Sequence, residues 1–229
     1  MYNGVMSAFS IKIIALLTMV LDHTGIFLFP NVFWLRSVGR LSFPLFAWLI
    51  SNGAKHTKNF NAYIRRLFIF GLVSQIPFLL ANRTVQPDFS DLNIMFTLLT
   101  GLLAIKVWIS ALGKSKKYFL IFLLVAVSHI TKMDYGPAGV LSILFFYIFS
   151  ESSWKMLLSQ VVAFTLVFPL QVSLREGQIN FFNLFQSLAL FSLIFIGQYN
   201  FKPGPRVKYL FYIFYPVHFI VFYVLRMLY

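Results

Sequence analysis

The sequence has no cysteine and very few charged residues. Of its 229 residues, 11% are charged, and only six of these are acidic. The lack of cysteine excludes disulfides, thiolate metal ligands and cysteine nucleophiles. Soluble globular chains carry about 25% charged residues, whereas 59% of this chain is apolar. Too little polar surface remains to cover a water-soluble body, so we expect an integral membrane protein.

Several well-known catalytic motifs are also missing. The chain has no Walker loop, no Rossmann glycine fingerprint, no Gly-x-Ser-x-Gly elbow and no paired His-Glu zinc helix. We therefore predict no metal site. If the protein is an enzyme, a histidine acting as a general base is the simplest catalytic device that its residues offer.

Positive charge is the one kind of charge that the chain has in excess. Nineteen Lys and Arg against six acids give a formal net charge of +13. These basic residues are dispersed over many short loops and form no recognition motif, so we do not expect nucleic-acid binding. Membrane proteins collect positive charge in their cytoplasmic loops, which makes the excess an indicator of topology.

Long apolar stretches recur along the whole chain. A helix needs about 20 apolar residues to cross a hydrocarbon core roughly 30 Å thick. Together the stretches predict an all-α, multi-pass membrane protein with about nine transmembrane helices in a single domain over 1–229. They are 9–29, 37–54, 63–82, 93–112, 117–131, 137–150, 154–172, 180–198 and 207–228. If each crosses, the alternate loops that hold most of the basic residues predict a cytoplasmic N-terminus and an outer C-terminus.

An acidic residue inside the first span is the most informative polar feature. A charged group at membrane depth costs several kcal/mol unless it has a partner, so Asp22 marks a functional site by default. The first two spans are joined by a short turn at 29–32, so they should form an antiparallel hairpin. In such a hairpin Asp22 and Arg40 lie at equal depth, and we predict that they pair.

Two histidines accompany this predicted ion pair. Adjacent helix residues point about 100° apart, so Asp22 facing Arg40 leaves His23 pointing elsewhere. His218 in the last span lies at a similar depth, counted at 1.5 Å per residue. One interpretation makes His23 the reactive group, with Asp22 and Arg40 as its electrostatic frame. The alternative is a buried ion pair that only sets the register of the hairpin.

Five short motifs, in order, resemble the TraX family of membrane proteins, whose founding member acetylates the N-terminal amine of pilin. They are Asp22-His23, the segment GRLSFPLFA from Gly39, the segment NIMF from Asn93, the segment YGPAG from Tyr135, and the segment FYPVH that ends at His218. The resemblance implies an acetyl-CoA-dependent acetyltransferase of the bacterial plasma membrane. Its acceptor would be a peptide amine or a surface glycan. The implied catalytic residues are Asp22, His23, Arg40 and His218, and the implied substrate-binding residues are Asn93, Tyr135 and Tyr215.

The same resemblance implies a cytosolic donor with several phosphates. Basic side chains would neutralise these phosphates, and the ones predicted to do so are Lys55, Arg65, Arg66, Lys116 and Lys117. The positive-inside rule also accounts for these charges without any ligand. Either His23 or His218 would deprotonate the acceptor, and the predictable ion pair beside His23 favours that residue.

Two other classes of function remain open. A small transporter of an anionic solute would use Arg40 for selectivity and Asp22-His23 as a proton relay. The absence of a two-fold internal repeat counts against this alternative. A non-catalytic membrane assembly protein would use the same polar layer only to hold its helices together.

Overall fold

The regular elements of the protein are helices. The computed structural model describes residues 4–177, 181–205 and 207–228, without the side chains of 181–184, 208 and 210. Eleven α-helices occur in these ranges, numbered α1 to α11 in chain order: Ala8–Phe27, Phe33–Gly39, Ser42–His56, Phe60–Arg83, Ile94–Ile109, Lys114–Ile130, Gly136–Ile148, Ser153–Val161, Phe168–Glu176, Ser192–Gly197 and Lys208–Leu228. A π-helix at Val162–Val167 joins α8 to α9, and a 3-10 helix at Phe181–Phe191 precedes α10. The predicted all-α fold is confirmed for these ranges.

Four helical segments are long and apolar enough to cross a membrane. They contain 20, 24, 24 and 18 residues, close to the length that a bilayer requires. These segments indicate a membrane protein, and they are Ala8–Phe27, Phe60–Arg83, Ser153–Glu176 and Phe211–Leu228. The prediction of nine spans is wrong for the described residues, because helix caps and breaks shorten the other apolar stretches to 17 residues or fewer. The orientation was counted over nine crossings, so it stays a prediction.

The stretch predicted as one span at 37–54 is two helices. Helix α2 ends at Gly39 and α3 begins at Ser42. In a continuous helix Pro44 would face the carbonyl of Arg40 with no N–H to donate and with its ring in steric conflict. Pro44 instead lies in the first turn of α3, where its missing N–H costs nothing. The helix therefore breaks just before this proline.

The predicted span at 154–172 is continuous, but it changes its helix type. The π-helical turn ends at Val167, two residues before Pro169. Proline has no N–H to donate to the carbonyl of Thr165. Bulges of this kind commonly accommodate such a missing bond. The next predicted span, 180–198, begins outside the described residues and continues as the 3-10 helix and α10.

The chain folds into two compact units. The first contains Met1–Phe46, Leu72–Ser90 and Phe191–Tyr229, and the second contains Ala47–Gly71 and Asp91–Leu190. The chain passes between the units inside α3, inside α4, in the loop at 90–91 and within the 3-10 helix. The predicted single domain over 1–229 stays a prediction.

Each unit has its own helix packing. In the first, α1 packs against α2 and α11. In the second, α7 packs against α5, α6, α8 and α9. The contact between α5 and α7 is very close, because a Cβ at Gly101 would lie 2.8 Å from the Cβ of Ile143. Small residues at such crossings let membrane helices approach each other.

Candidate active site at a histidine pair

The first unit holds an ion cluster between α1 and α2. Arg40 Nη2 donates a hydrogen bond to Asp22 Oδ1, and Arg36 Nε lies 3.1 Å from the same oxygen. The side chains of Asp22 and Arg40 are 14% and 11% exposed, whereas that of Arg36 is 34% exposed. The pairing of Asp22 with Arg40 that hairpin geometry predicts is therefore present, with a second arginine added to it.

Sequence reasoning missed Arg36. Arg36 and Arg40 are four residues apart, and positions i and i+4 lie on one face of a helix. That spacing was the available signal. Arg40 Nε also donates to the carbonyl of Arg36 at 3.3 Å, so the two arginines are held together at the end of α2.

Glycine allows α1 and α2 to come this close. A Cβ at Gly25 would lie 3.1 Å from both Arg36 Cδ and Leu35 Cβ. Distances of this size are tighter than ordinary van der Waals contact. On the other helix, Gly39 faces the side chain of Asp22 itself. Small residues at both positions thus bring the carboxylate to the arginines.

His23, the residue that follows Asp22 in α1, contacts His218 of α11. His218 Nε2 lies 2.9 Å from His23 Nδ1, and the two rings stack with centroids 4.9 Å apart. His218 Nδ1 lies 3.2 Å from the carbonyl oxygen of Phe214. The residue His218 is 5% exposed, whereas His23 is partly exposed. The structure thus brings together the two histidines that the sequence placed at similar depth.

Aromatic rings surround this histidine pair. Phe219 lies closest, with its ring centroid 4.8 Å from that of His23 and 4.2 Å from that of His218. Phe27 and Phe222 complete the wall around His23 at 5.9 and 6.1 Å. Because apolar surroundings have a low dielectric, hydrogen bonds and charges act more strongly there than in water.

Proton transfer is the chemistry that this arrangement offers. A hydrogen-bonded imidazole pair can take up and return a proton. The neighbouring arginines on Asp22 can stabilise negative charge that develops close by. In the part of the chain that the structure describes, no three His, Cys, Asp or Glu side chains gather in a way that could hold a metal ion.

The three predicted substrate residues have different surroundings. Tyr215 is 4% exposed and lies in the first unit, with its ring centroid 5.4 Å from that of His218. Asn93 is fully buried in the second unit, where its side chain donates to the carbonyl of Gly71 at 2.8 Å and accepts from the N–H of Met95 at 3.0 Å. These backbone bonds favour a structural role for Asn93 as the N-cap of α5.

Tyr135 lies in a strained turn before α7. Its φ of 58° is in the left-handed region, which costs a non-glycine residue roughly 1 kcal/mol or more. Gln171 stabilises this turn, since its Nε2 donates to the carbonyl of Tyr135 at 3.2 Å and its Oε1 accepts from the N–H of Ala138 at 3.0 Å. Gln186 Nε2 lies 3.4 Å from the Tyr135 hydroxyl. Sequence reasoning found the tyrosine but not the two glutamines, which lie far away along the chain.

The five basic residues predicted to bind the donor lie in the second unit. Lys55 and Arg66 stack on tyrosine rings, those of Tyr147 and Tyr63, each at 5.5 Å from the ring centroid. Lys117 Nζ donates to the carbonyl of Trp108 at 2.8 Å, whereas Arg65 and Lys116 are exposed. Burial lowers the pKa of Lys55, although Glu151 opposes this shift.

Known proteins with similar sequences extend this picture. The family model described as TraX protein matches residues 7–226. A relative from Dichelobacter nodosus, named "Probable fimbrial assembly protein FimC, serogroup H1", is 31% identical over 233 residues. The match covers 93% of this chain and 92% of the relative. No solved structure matches the chain.

Proposed function

Because the chain belongs to the TraX family, we propose that it is a multi-pass acetyltransferase of the bacterial plasma membrane. It transfers an acetyl group from cytosolic acetyl-CoA to an amine or hydroxyl of an acceptor at or beyond the membrane. The observation that carries this proposal is the hydrogen-bonded pair of His23 and His218 beside the cluster of Asp22 with two arginines.

The histidine pair supplies the base. The acceptor R–XH loses its proton to an imidazole as its nitrogen or oxygen attacks the thioester carbonyl. The new C–N or C–O bond forms, the C–S bond breaks, and the proton returns to the leaving thiolate, giving the acetylated acceptor and CoA–SH. A positioned general base of this kind contributes about 10²–10⁴-fold to the rate. We assign this role to His23 because the residue is partly exposed, whereas His218 is 5% exposed.

The ion cluster supplies the electrostatics. Attack on the thioester develops negative charge on the carbonyl oxygen, and prearranged cations stabilise such charge best where water is excluded. Arg40 is held in place by Asp22 and by the carbonyl of Arg36. Asp22 therefore positions a guanidinium next to the helix that carries His23.

The donor brings an activated acetyl group and several phosphates. We propose that Lys55, Arg65, Arg66, Lys116 and Lys117 bind these phosphates, because basic side chains suit an anionic ligand. The proposed acceptor is a pilin-like N-terminal amine or a surface glycan. Tyr215, whose ring centroid lies 5.4 Å from that of His218, is proposed to contact it.

A non-catalytic role in assembling fimbriae is the second candidate. The name of the Dichelobacter nodosus relative favours it. In that case the polar residues between helices α1, α2 and α11 would serve only to hold them together, and the protein would act by binding its partners.

Acetyl transfer by the purified protein separates the two candidates. Protein reconstituted in lipid vesicles is supplied with radiolabelled acetyl-CoA and extracted cell-surface material, and label in the acceptor is counted. We expect label with the wild type and a loss of at least about 10²-fold for His23→Ala. His56→Ala is the matched control, because His56 is exposed and its ring bonds only its own helix at Asn52.

Each outcome of this assay has a definite meaning. Equal transfer by His23→Ala and the wild type would remove His23 from the mechanism. No binding of acetyl-CoA and no transfer by correctly folded wild type would overturn the enzymatic proposal and favour the assembly role. Equal losses in His23→Ala and His56→Ala would show that the assay responds to protein handling rather than to the site.

A further inference from the structure

We propose that His218 is a positioning residue that determines which ring nitrogen of His23 is basic, and that this nitrogen is Nε2. The inference rests on the proposed function for its catalytic meaning, and on the hydrogen bonds of the pair for its geometry. It also decides which of the two histidines is the base.

The carbonyl of Phe214 fixes which ring nitrogen of His218 carries the proton. A carbonyl oxygen only accepts hydrogen bonds, so His218 Nδ1, 3.2 Å away, must carry a proton and donate it. A neutral imidazole has one N–H. His218 Nε2 is then without a proton and presents a lone pair to its neighbour.

His218 in turn fixes which ring nitrogen of His23 carries the proton. His23 Nδ1 lies 2.9 Å from His218 Nε2. Because His218 Nε2 presents only a lone pair, His23 Nδ1 must be the donor. The single ring proton of neutral His23 is therefore on Nδ1, and its lone pair is on Nε2. In the described ranges no other group hydrogen-bonds to His23. The basic nitrogen of the pair is thus Nε2 of His23.

Burial supports the same division of roles. Both nitrogens of His218 are engaged, one by the backbone and one by His23, and the residue is 5% exposed. His23 as a residue is partly exposed. When His23 Nε2 takes a proton from the acceptor, Nδ1–H strengthens its bond to His218, which stabilises the imidazolium as the orienting group of a catalytic triad does.

The tautomers can be read directly by nitrogen NMR. Protein with ¹⁵N-labelled histidine is placed in lipid bilayers at about pH 8.5, where neutral rings predominate. His56→Gln and His129→Gln substitutions leave only the two site histidines to assign. We expect protonated Nδ1 and unprotonated Nε2 in both rings, and a coupling across the bond from His23 Nδ1 to His218 Nε2. A proton on Nε2 of His23 would overturn the proposal.

Two substitutions of His218 test the positioning role. Gln has an amide oxygen that can accept from His23 Nδ1–H, whereas Leu fills similar space without an acceptor. We expect His218→Gln to keep the tautomer of His23 and most of kcat. His218→Leu should shift the ring proton of His23 toward Nε2 and lower kcat by about 10²–10⁴-fold with KM nearly unchanged. Equal kcat for the two variants, with both folded, would overturn the positioning role.

The NMR readout does not depend on turnover. If the tautomers are as expected and the wild type transfers no acetyl group, the proposed function fails while the tautomer assignment stands. If transfer occurs and His23 carries its proton on Nε2, the inference fails while the proposed function stands.

Discussion

Gly39 on α2 lies so close to Asp22 on α1 that a Cβ at position 39 would be 2.7 Å from the Cα of Asp22. The neighbour is partly backbone and cannot rotate away, as the end of a flexible side chain could. The approach places the carboxylate of Asp22 beside the end of α2, where Arg36 and Arg40 meet it. The ion cluster at the candidate active site thus depends on the absence of one side chain.

Replacing this glycine should therefore loosen the site. We expect Gly39→Ala to reduce the free energy of unfolding by about 1–3 kcal/mol, the usual cost of overpacking, and to lower acetyl transfer with it. Thermal unfolding in detergent measures the change. Gly197→Ala is the control, because nothing lies within 4 Å of a Cβ there. Equal stability of the two variants would show that α1 and α2 can move apart at no cost.

The two arginines of the cluster should contribute differently to the stability of the protein. Removing one member of a buried ion pair costs about 3–5 kcal/mol, whereas exposed pairs contribute about 0–1 kcal/mol. Because Arg40 is 11% exposed and Arg36 is 34% exposed, we expect Arg40→Ala to lower the unfolding temperature clearly more than Arg36→Ala. Chemical or thermal unfolding of both variants checks this order. The reverse order would show that Arg36 is the main partner of Asp22.

Asn93 should matter for stability rather than for substrate. Its fully buried amide bonds Gly71 and Met95, so Asn93→Ala leaves buried backbone groups unpaired at a cost of about 1–3 kcal/mol. Ser152→Ala removes a weaker, exposed N-cap bond of 3.5 Å and should cost about 1 kcal/mol or less. Thermal unfolding compares the two. A stable Asn93→Ala variant with a raised KM for the acceptor would instead support the predicted contact with substrate.

Asp91, in the loop between α4 and α5, should make stability depend on pH. Burial raises its pKa above the usual 3.8, although Arg175 and Lys132 oppose the shift; Arg175 Nη1 lies 3.5 Å from its carboxylate. A carboxyl with a raised pKa binds its proton more tightly in the folded state. Its contribution is full below the unfolded pKa and is lost as the pH rises through the folded value.

Asp91→Asn removes this titration. Measured against the wild type, its unfolding temperature should therefore rise as the pH increases above 3.8, the usual pKa of the carboxyl. Asp88→Asn, in the same exposed loop, controls for the loss of one negative charge. A constant difference between Asp91→Asn and the wild type across this range would contradict the shift.

Much of the helix content could be predicted because hydropathy is a local property. The long segments Ala8–Phe27 and Phe60–Arg83 follow their apolar stretches closely. The prediction failed where backbone chemistry interrupts an apolar stretch, as where α2 ends and α3 begins just before Pro44. Hydropathy averages over such residues, so the nine predicted spans were too many.

The candidate site could be predicted in part. The pairing of Asp22 with Arg40 follows from the short turn between two helices, since a short turn fixes which residues share a depth. The role of Gln171 in holding the turn at Tyr135 could not be predicted, because these residues are 36 positions apart and are brought together by the packing of α7 on α9.

The sequence by itself determined that this is an apolar, helical membrane protein with a charge in its first span. Composition, and the free-energy cost of a charge inside an apolar helix, can be read from the chain without knowing any distant contact. Its motifs also determined its family. Only the tertiary structure decided that His23 bonds His218, which lies 195 residues away, and that Arg36 joins Asp22. Helix rotation and packing set these contacts, and a rotation of one residue, about 100°, would have separated every pair.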